Sequence, residues 1–170
     1  MKDFDRNQDK EQKEKVVQIR RICKVVKGGK KLGFRAVVVV GDLKGNVGVG
    51  VGKANEVSSA IRKSVDDANK HKILVPLIGK TIPHETCGVW GSSKVILRPA
   101  PTGTGVIAGG AVRTVLELSG IADVVAKSIG ASNAINTARA TIEGLRVLKT
   151  LEREEELRGK KLDVKYVQTA

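Results

Sequence analysis

The sequence predicts an α+β fold of two small domains, β-β-β-α and then β-β-α-β-α, with a charged segment at each end. Three observations carry that expectation. Residues 16–54 are β-branched runs punctuated by glycine turns, the pattern of an antiparallel meander. Two later stretches, near 55–71 and 132–146, repeat apolar residues at the i, i+3, i+4 spacing of a helix with one buried face. Between them, Pro76 and Gly79 punctuate the chain and a strand pattern restarts. The expected boundaries are a flexible tail at 1–15, a first domain at 16–78, a second at 79–151 and a charged tail at 152–170.

Each element has a local reason. VVQIRRICKVV is extended up to a turn at Gly28-Gly29, and FRAVVVVGD returns from it. The unbroken Val37–Val40 run suits a strand covered on both faces. A second turn in DLKGN leads to VGVGVGK. A helix follows from about Asn55, a suitable N-cap with Glu56 at the positive helix end. Its inward face is expected to hold Val57, Ala60, Ile61, Val65 and Ala68, and the unit closes near ILVPLIG. KTIPHETCGVWGSSKVILRPAP then reads as a hairpin ended by Pro99 and Pro101, because proline has no ladder donor. GTGVIAGGAVRTVLELSG supplies a glycine loop and a helix with Val112, Val115 and Leu116 inward. ADVVAKSIG is a short strand. Ser132 or Asn133 caps a final helix whose Ile135, Ala138, Ile142 and Leu145 share a face. Arg139, Glu143 and Arg146 fall on another face, free for a partner.

Charge points to a polyanion. The chain has 170 residues and a net charge of +13. Residues 16–72 hold 13 basic and 4 acidic side chains, whereas 1–15 and 152–170 each balance at five and five. A binding surface therefore lies in the first domain. Seven cations, Arg20, Arg21, Lys24, Lys27, Lys30, Lys31 and Arg35, surround the Gly28-Gly29 turn with no acid among them. Phosphates would supply the counter-charge. Aromatic residues make up only 2%, so recognition by shape and phosphate is favoured over base stacking. No apolar run approaches the roughly 18 residues of a membrane span. MKDFDRNQDK lacks the apolar core of a signal peptide. Cys23 and Cys87 read as reduced thiols.

The glycine motifs fail as nucleotide loops. A phosphate loop ending at Gly52-Lys53 needs glycine at 47 and a hydroxyl at 54, where the chain has Val47 and Ala54. What remains is alternation, with Gly48, Gly50 and Gly52 on one strand face and Val47, Val49 and Val51 on the other. Two occupants fit the bare face: a helix of the same chain, or an RNA backbone with Lys53 at the rim. Gly103-Thr104-Gly105-Val106-Ile107-Ala108 does match G-x-G-x-x-[GA], but two prolines break the strand before it, and neither Glu117 nor Asp123 sits where a ribose partner belongs. Gly109-Gly110 suggests tight helix contact. His84-Glu85-x-Cys87 is incomplete as a metal set, and His71 has no catalytic partners. Trp90 reads as a hairpin-tip or partner contact ahead of a base-stacking residue.

RRICKVVKGGKKLGFRAVVVVGD, GNVGVGVGKANEV, RPAPTGTGVIAGGAVRTVLELSG and NTARATIEGL occur in that order. Together they closely resemble the small-subunit ribosomal protein five family of bacteria and plastids, over about residues 16–150. The resemblance implies that the first domain is a double-stranded-RNA-binding-like module lacking its leading helix, and the second a left-handed β-α-β type. It implies a non-enzymatic role without a cofactor: binding small-subunit rRNA, supporting decoding accuracy with protein four, and forming the mRNA entrance with proteins three and four. It puts RNA contact on Lys24, Val26, Lys27, Gly28, Gly29 and Lys30. Gly109, Gly110 and Arg113 fall on the side that meets protein four, and the NTARATIEGL region, with Arg139 and Arg146, near protein eight. Neither a membrane nor a homo-oligomer is expected, and the location is the ribosome of a bacterial cytoplasm or plastid stroma. Cys87 and Trp90 replace small or polar residues of the family, and Ala134 stands where proline commonly follows the asparagine. The rival from another class is a small-molecule kinase holding ATP in PTGTGVIAGG, and a free double-stranded-RNA binder is the third.

Overall fold

The computed structural model describes residues 12–161. Of the tail expected at 1–15, residues 1–11 lie outside the described part, as do residues 162–170 of the second tail. The first sheet is a meander of β1 (Lys13–Val26), β2 (Gly29–Gly41) and β3 (Asn46–Ala54), closed by a two-residue β4 (Ile73–Leu74) in the order β1-β2-β3-β4. β1 starts three residues before the expected Val16, because Lys13, Glu14 and Lys15 pair with Gly41, Val40 and Val39. Helix α1 (Val57–Lys70) covers one face. Its N-cap is Glu56, not Asn55, because the Glu56 carbonyl accepts the first helical bond from Ala60 N at 3.0 Å.

The four valines are sandwiched as expected. Val38 and Val40 meet Ile61, Val65 and Ala68 of α1, while Val37 and Val39 face the opposite core. All four are essentially inaccessible, each contributing about 1.5–3 kcal/mol of transfer free energy. The glycines of β3 settle which occupant they admit. A Cβ at Gly48, Gly50 or Gly52 would lie 2.3 Å from Ala68 O, 2.0 Å from Ser64 O or 2.3 Å from Ala60 O. The helix of the same chain fills that face, which excludes an RNA backbone from it. Buried Ser64 completes the small-residue stripe with Ala60 and Ala68, its Oγ within reach of Ala36 O at 3.1 Å and Ala60 O at 2.8 Å.

The second sheet contains β5 (Thr86–Trp90), β6 (Ser93–Pro99), β7 (Val106–Ile107) and β8 (Val124–Gly130), in the order β5-β6-β8-β7. The expected hairpin is β5–β6. The two-residue β7 inside the glycine loop was not anticipated; it pairs parallel with β8 across helix α2 (Gly110–Ser119). Val112, Val115 and Leu116 of α2 are buried. Helix α3 (Ala134–Arg146) is capped by Asn133, whose side-chain oxygen accepts from Ile135 N. It repeats the close approach seen in the first domain, since a Cβ at Gly88 would sit 1.9 Å from Ala140 O and 2.4 Å from Gly144 N. A short helix α4 (Leu151–Arg158) follows.

One apolar cluster runs through both domains, from Val37 and Val47 to Val115, Leu116 and Leu145. The seam is the C-terminal end of α2. Its carbonyls at Leu118 and Ser119 accept from Leu43 N (3.1 Å) and Gly45 N (3.0 Å) of the β2–β3 turn, supplying donors for groups that a helix end leaves unpaired. Gly41 permits this approach, for a Cβ there would lie 2.1 Å from Leu118 O. The expected tight contact at Gly109-Gly110 is absent. Nothing lies within 4 Å of a Cβ at Gly110, and only Ser128 Oγ, at 4.0 Å, meets one at Gly109.

Candidate nucleic-acid interface

The first-domain cations are sorted by strand register. Arg20 pairs with Arg35, Arg35 with Lys53, and Lys24 with Lys31. Side chains alternate along a strand, so Arg20, Lys24, Lys31, Arg35 and Lys53 share one face. Arg21 and Lys30 point to the other, and Lys27 sits in the turn with Gly28. The result is a row of three cations, Arg20–Arg35–Lys53, across three adjacent strands. Like charges directly opposite one another are destabilising. The Nε of Arg35 is buried with no hydrogen-bond partner among the described residues, whereas such groups are nearly always paired in folded proteins. Beside the row lies an open cleft of about 300 Å³, lined by Ile22, Lys24, Lys31, Gly33, Lys53 and Ala54. A Cβ at Gly33 would lie 3.1 Å from Ala54 O. At the tip Gly28 and Gly29 face open space, Gly29 at a φ of +140° that favours glycine.

The second-domain residues are placed less simply. Arg113 is exposed near the start of α2, but its Nε donates to Glu117 Oε1 at 2.6 Å, and Lys15 Nζ reaches Glu117 Oε2 at 3.1 Å. The Arg113 bond is the main reason that the Glu117 carboxyl sits below its ordinary pKa; burial opposes it, and the Lys15 hydrogen bond and charge add to the lowering. The face expected to be free on α3 is partly engaged. The Arg139 guanidinium lies 5.3 Å from the Trp90 ring centroid, and Arg146 pairs with Glu143 at 3.1 Å.

The glycine loop of the second domain is turned onto its own chain at Gly103 and Gly105. Gly103 N and Gly105 N both donate to Asp123 Oδ1, at 3.0 and 2.8 Å, and are not free for a phosphate. The buried Asp123 carboxylate thus holds two backbone amides that a phosphate at this part of the loop would need. His84 is likewise committed: its Nε2 accepts from Lys149 N at 3.1 Å, which fixes the Nδ1–H tautomer toward Glu85 O. Among the described residues no three His, Cys, Asp or Glu side chains gather as a metal site, Cys23 and Cys87 are free thiols, and no helix is long and apolar enough to cross a membrane.

Sequence reasoning missed a second basic surface. Lys94 and Arg98 of β6 and Lys127 of β8 lie on the uncovered face of the second sheet, beside exposed Val125 and Ile129. Alternation within Lys94-Val95-Ile96-Leu97-Arg98 carries the signal, because buried Val95 and Leu97 force residues 94 and 98 outward.

Fold and charge together define a basic two-domain α+β protein with a row of cations across its first sheet. Comparison with known proteins names the family. Residues 12–76 match the model of the ribosomal protein S5 N-terminal domain, and residues 88–158 that of the ribosomal protein S5 C-terminal domain. The chain is 56% identical over 155 residues to the small ribosomal subunit protein uS5 of Nostoc punctiforme, covering 91% of this chain and 89% of that one. It is 55% identical, with the same shares covered, to the uS5 of Trichormus variabilis. The chain belongs to the ribosomal protein S5 family.

Proposed function

We propose that this chain is a structural, non-catalytic component of the small ribosomal subunit that binds small-subunit rRNA through the β1–β2 arm and the cation row beside it. The observation that carries the reading is the Arg20–Arg35–Lys53 row. Three cations directly opposite one another on adjacent strands call for an anionic ligand. Phosphate oxygens fit, because they accept from arginine bidentately and from lysine as point charges. Val26, Lys27, Gly28, Gly29 and Lys30 form the tip that reaches into RNA, and Lys24, Lys31 and Lys53 rim the cleft behind it.

The finer assignment follows the family. Exposed Gly109, Gly110 and Arg113, at the N-terminal end of α2, form the side toward protein four, where the contact supports decoding accuracy. Arg146 and α4 form the side toward protein eight, while Arg139 is turned onto Trp90. With proteins three and four the chain helps form the mRNA entrance, on ribosomes of a bacterial cytoplasm or plastid stroma. The test is sedimentation of a lysate through a low-magnesium gradient, with the chain expected in the small-subunit fraction. Recovery only in the free-protein fractions would overturn the proposal.

A further inference from the structure

We propose that a second, separate site lies between the domains: a groove that takes one extruded purine base of RNA, guanine above all. The groove has a volume of about 340 Å³ and opens between α1 and α3, with Val49 and Ile142 as its apolar floor and Trp90 on one side. Its chemistry is unlike that of the arm. Trp90 is the only tryptophan in a chain with 2% aromatic residues, yet 39% of its surface is exposed. A tryptophan placed for core volume would be covered. Here the Arg139 guanidinium lies over the indole at 5.3 Å, and a planar base can continue that stack.

Polar groups define the edge that is read. On the α1 wall Asp67 is committed, its Oδ2 accepting from the edge-strand amide of Val51 at 2.9 Å and its Oδ1 lying 3.4 Å from His71 Nδ1. On the α3 wall Glu143 accepts from Arg146 through Oε1 and keeps a second carboxylate oxygen to offer. A carboxylate accepts and does not donate, so it selects a ring edge carrying adjacent N–H groups. Guanine has that edge; cytosine and uracil lack the purine surface for the stack. A bare phosphate would pair with Arg139 or Arg146 but leave Trp90 without a stacking partner, and a phenylalanine or tyrosine ring from a partner protein would stack but leave the Glu143 carboxylate unused. Val49 shares a strand face with Lys53 of the cation row, four residues and about 13 Å away. One RNA could therefore lie on the row and place a base in the groove.

The single tryptophan makes the groove its own reporter. The full-length chain is excited at 295 nm and titrated with guanosine monophosphate, with cytidine monophosphate and with ribose 5-phosphate, each corrected against free tryptophan amide. The expected result is saturable quenching by guanosine monophosphate, weaker quenching by cytidine monophosphate and none by ribose 5-phosphate. Glu143→Gln should bind guanosine monophosphate roughly tenfold more weakly, as expected for hydrogen bonds to a charged group, with its unfolding temperature reporting that the fold is kept. Equal effects of ribose 5-phosphate, no saturable change with any probe, or an unaltered guanosine monophosphate affinity in Glu143→Gln would each overturn the proposal. Because the groove is read from its own side chains, failure here leaves sedimentation with the small subunit unaffected.

Discussion

Two sets of glycines in this chain look alike in sequence and behave oppositely in the fold. Gly48, Gly50, Gly52 and Gly88 are sealed, each with a helix backbone where a side chain would go; Gly28, Gly29, Gly103, Gly105 and Gly110 face open space. The sealed set lies within strands, where period-2 alternation turns every glycine to one face and lets a helix settle on it. The open set lies in turns and at a helix start. Proximity to cations is therefore no guide to function by itself: Lys53 follows the sealed Gly52, while Lys27 precedes the open Gly28.

The sharpest way to break this comparison is to add a methyl group to a sealed glycine. In Gly50→Ala the new carbon would lie 2.0 Å from Ser64 O and 2.4 Å from Ala68 N, both backbone atoms of α1, so the helix must move. The expected loss is at the upper end of the overpacking range, roughly 3 kcal/mol, or a fall in Tm of about 6–12 °C for a chain of this size. Gly88→Ala should behave alike in the second domain. Scanning calorimetry reads both, and an unchanged Tm for Gly50→Ala would mean that the helix is not seated on the strand.

A second intervention separates binding from stability at the open end. Replacing Arg20 and Lys53 by glutamine removes two of the three cations in the row. Each lost phosphate contact should lower the slope of log K against log salt by about 0.7–0.9, so the pair should lower it by roughly 1.5. Stability should hold or rise slightly, because like charges no longer face each other across the strands. Filter binding to small-subunit rRNA over a salt series measures the first effect and denaturant unfolding the second. An unaltered slope would move the RNA interface away from the row.

Much of this contrast was legible in the sequence, and what was not has a physical cause. The Val37–Val40 run announced burial on both faces because β-branched continuity has few other uses. Alternation at Gly48, Gly50 and Gly52 announced a bare face, but the arrival of α1 on it is a tertiary event. β4 and β7 are two residues each and exist only through their partners, so no local pattern marks them. The cations of the arm were visible as residue types, yet the Arg20–Arg35–Lys53 row needs the register of three strands, and a slip of one residue would turn a strand's side chains to the other face. Arg139 and Trp90 lie too far apart in sequence for any periodicity to join them, and so the groove was missed.

Glu117 sits on the seam between the sealed core and the charged sheet, tying Lys15 of β1 to Arg113 of α2. Its carboxyl pKa is lowered in the fold, first by the Arg113 hydrogen bond. Stability from a depressed carboxyl is therefore present above its unfolded value, about 4.3, and is lost as pH falls through the folded one. The group is about a third exposed, which limits the contribution to under about 1 kcal/mol. Glu117→Gln should lower Tm slightly at pH 7 and narrow the gap between Tm at pH 7 and at pH 3.5. A gap equal to that of the unsubstituted chain would show that the link contributes nothing.

The smallest effect is the most discriminating, because its sign is opposite. Gly110 begins α2 with open space around its missing Cβ and without a left-handed φ. Alanine can adopt that conformation, and it restricts the unfolded chain more than glycine does. Gly110→Ala should therefore stabilise the protein by about 0.4–1 kcal/mol, where the same substitution at Gly50 destabilises it several-fold more. Had Gly109-Gly110 been a tight helix contact, as the sequence suggested, the substitution would destabilise instead. Denaturant midpoints measured on the two variants side by side decide the matter. If Gly110→Ala raises the midpoint yet releases the chain from assembled small subunits, the open glycine is kept for the approach of a neighbouring molecule and not for the fold.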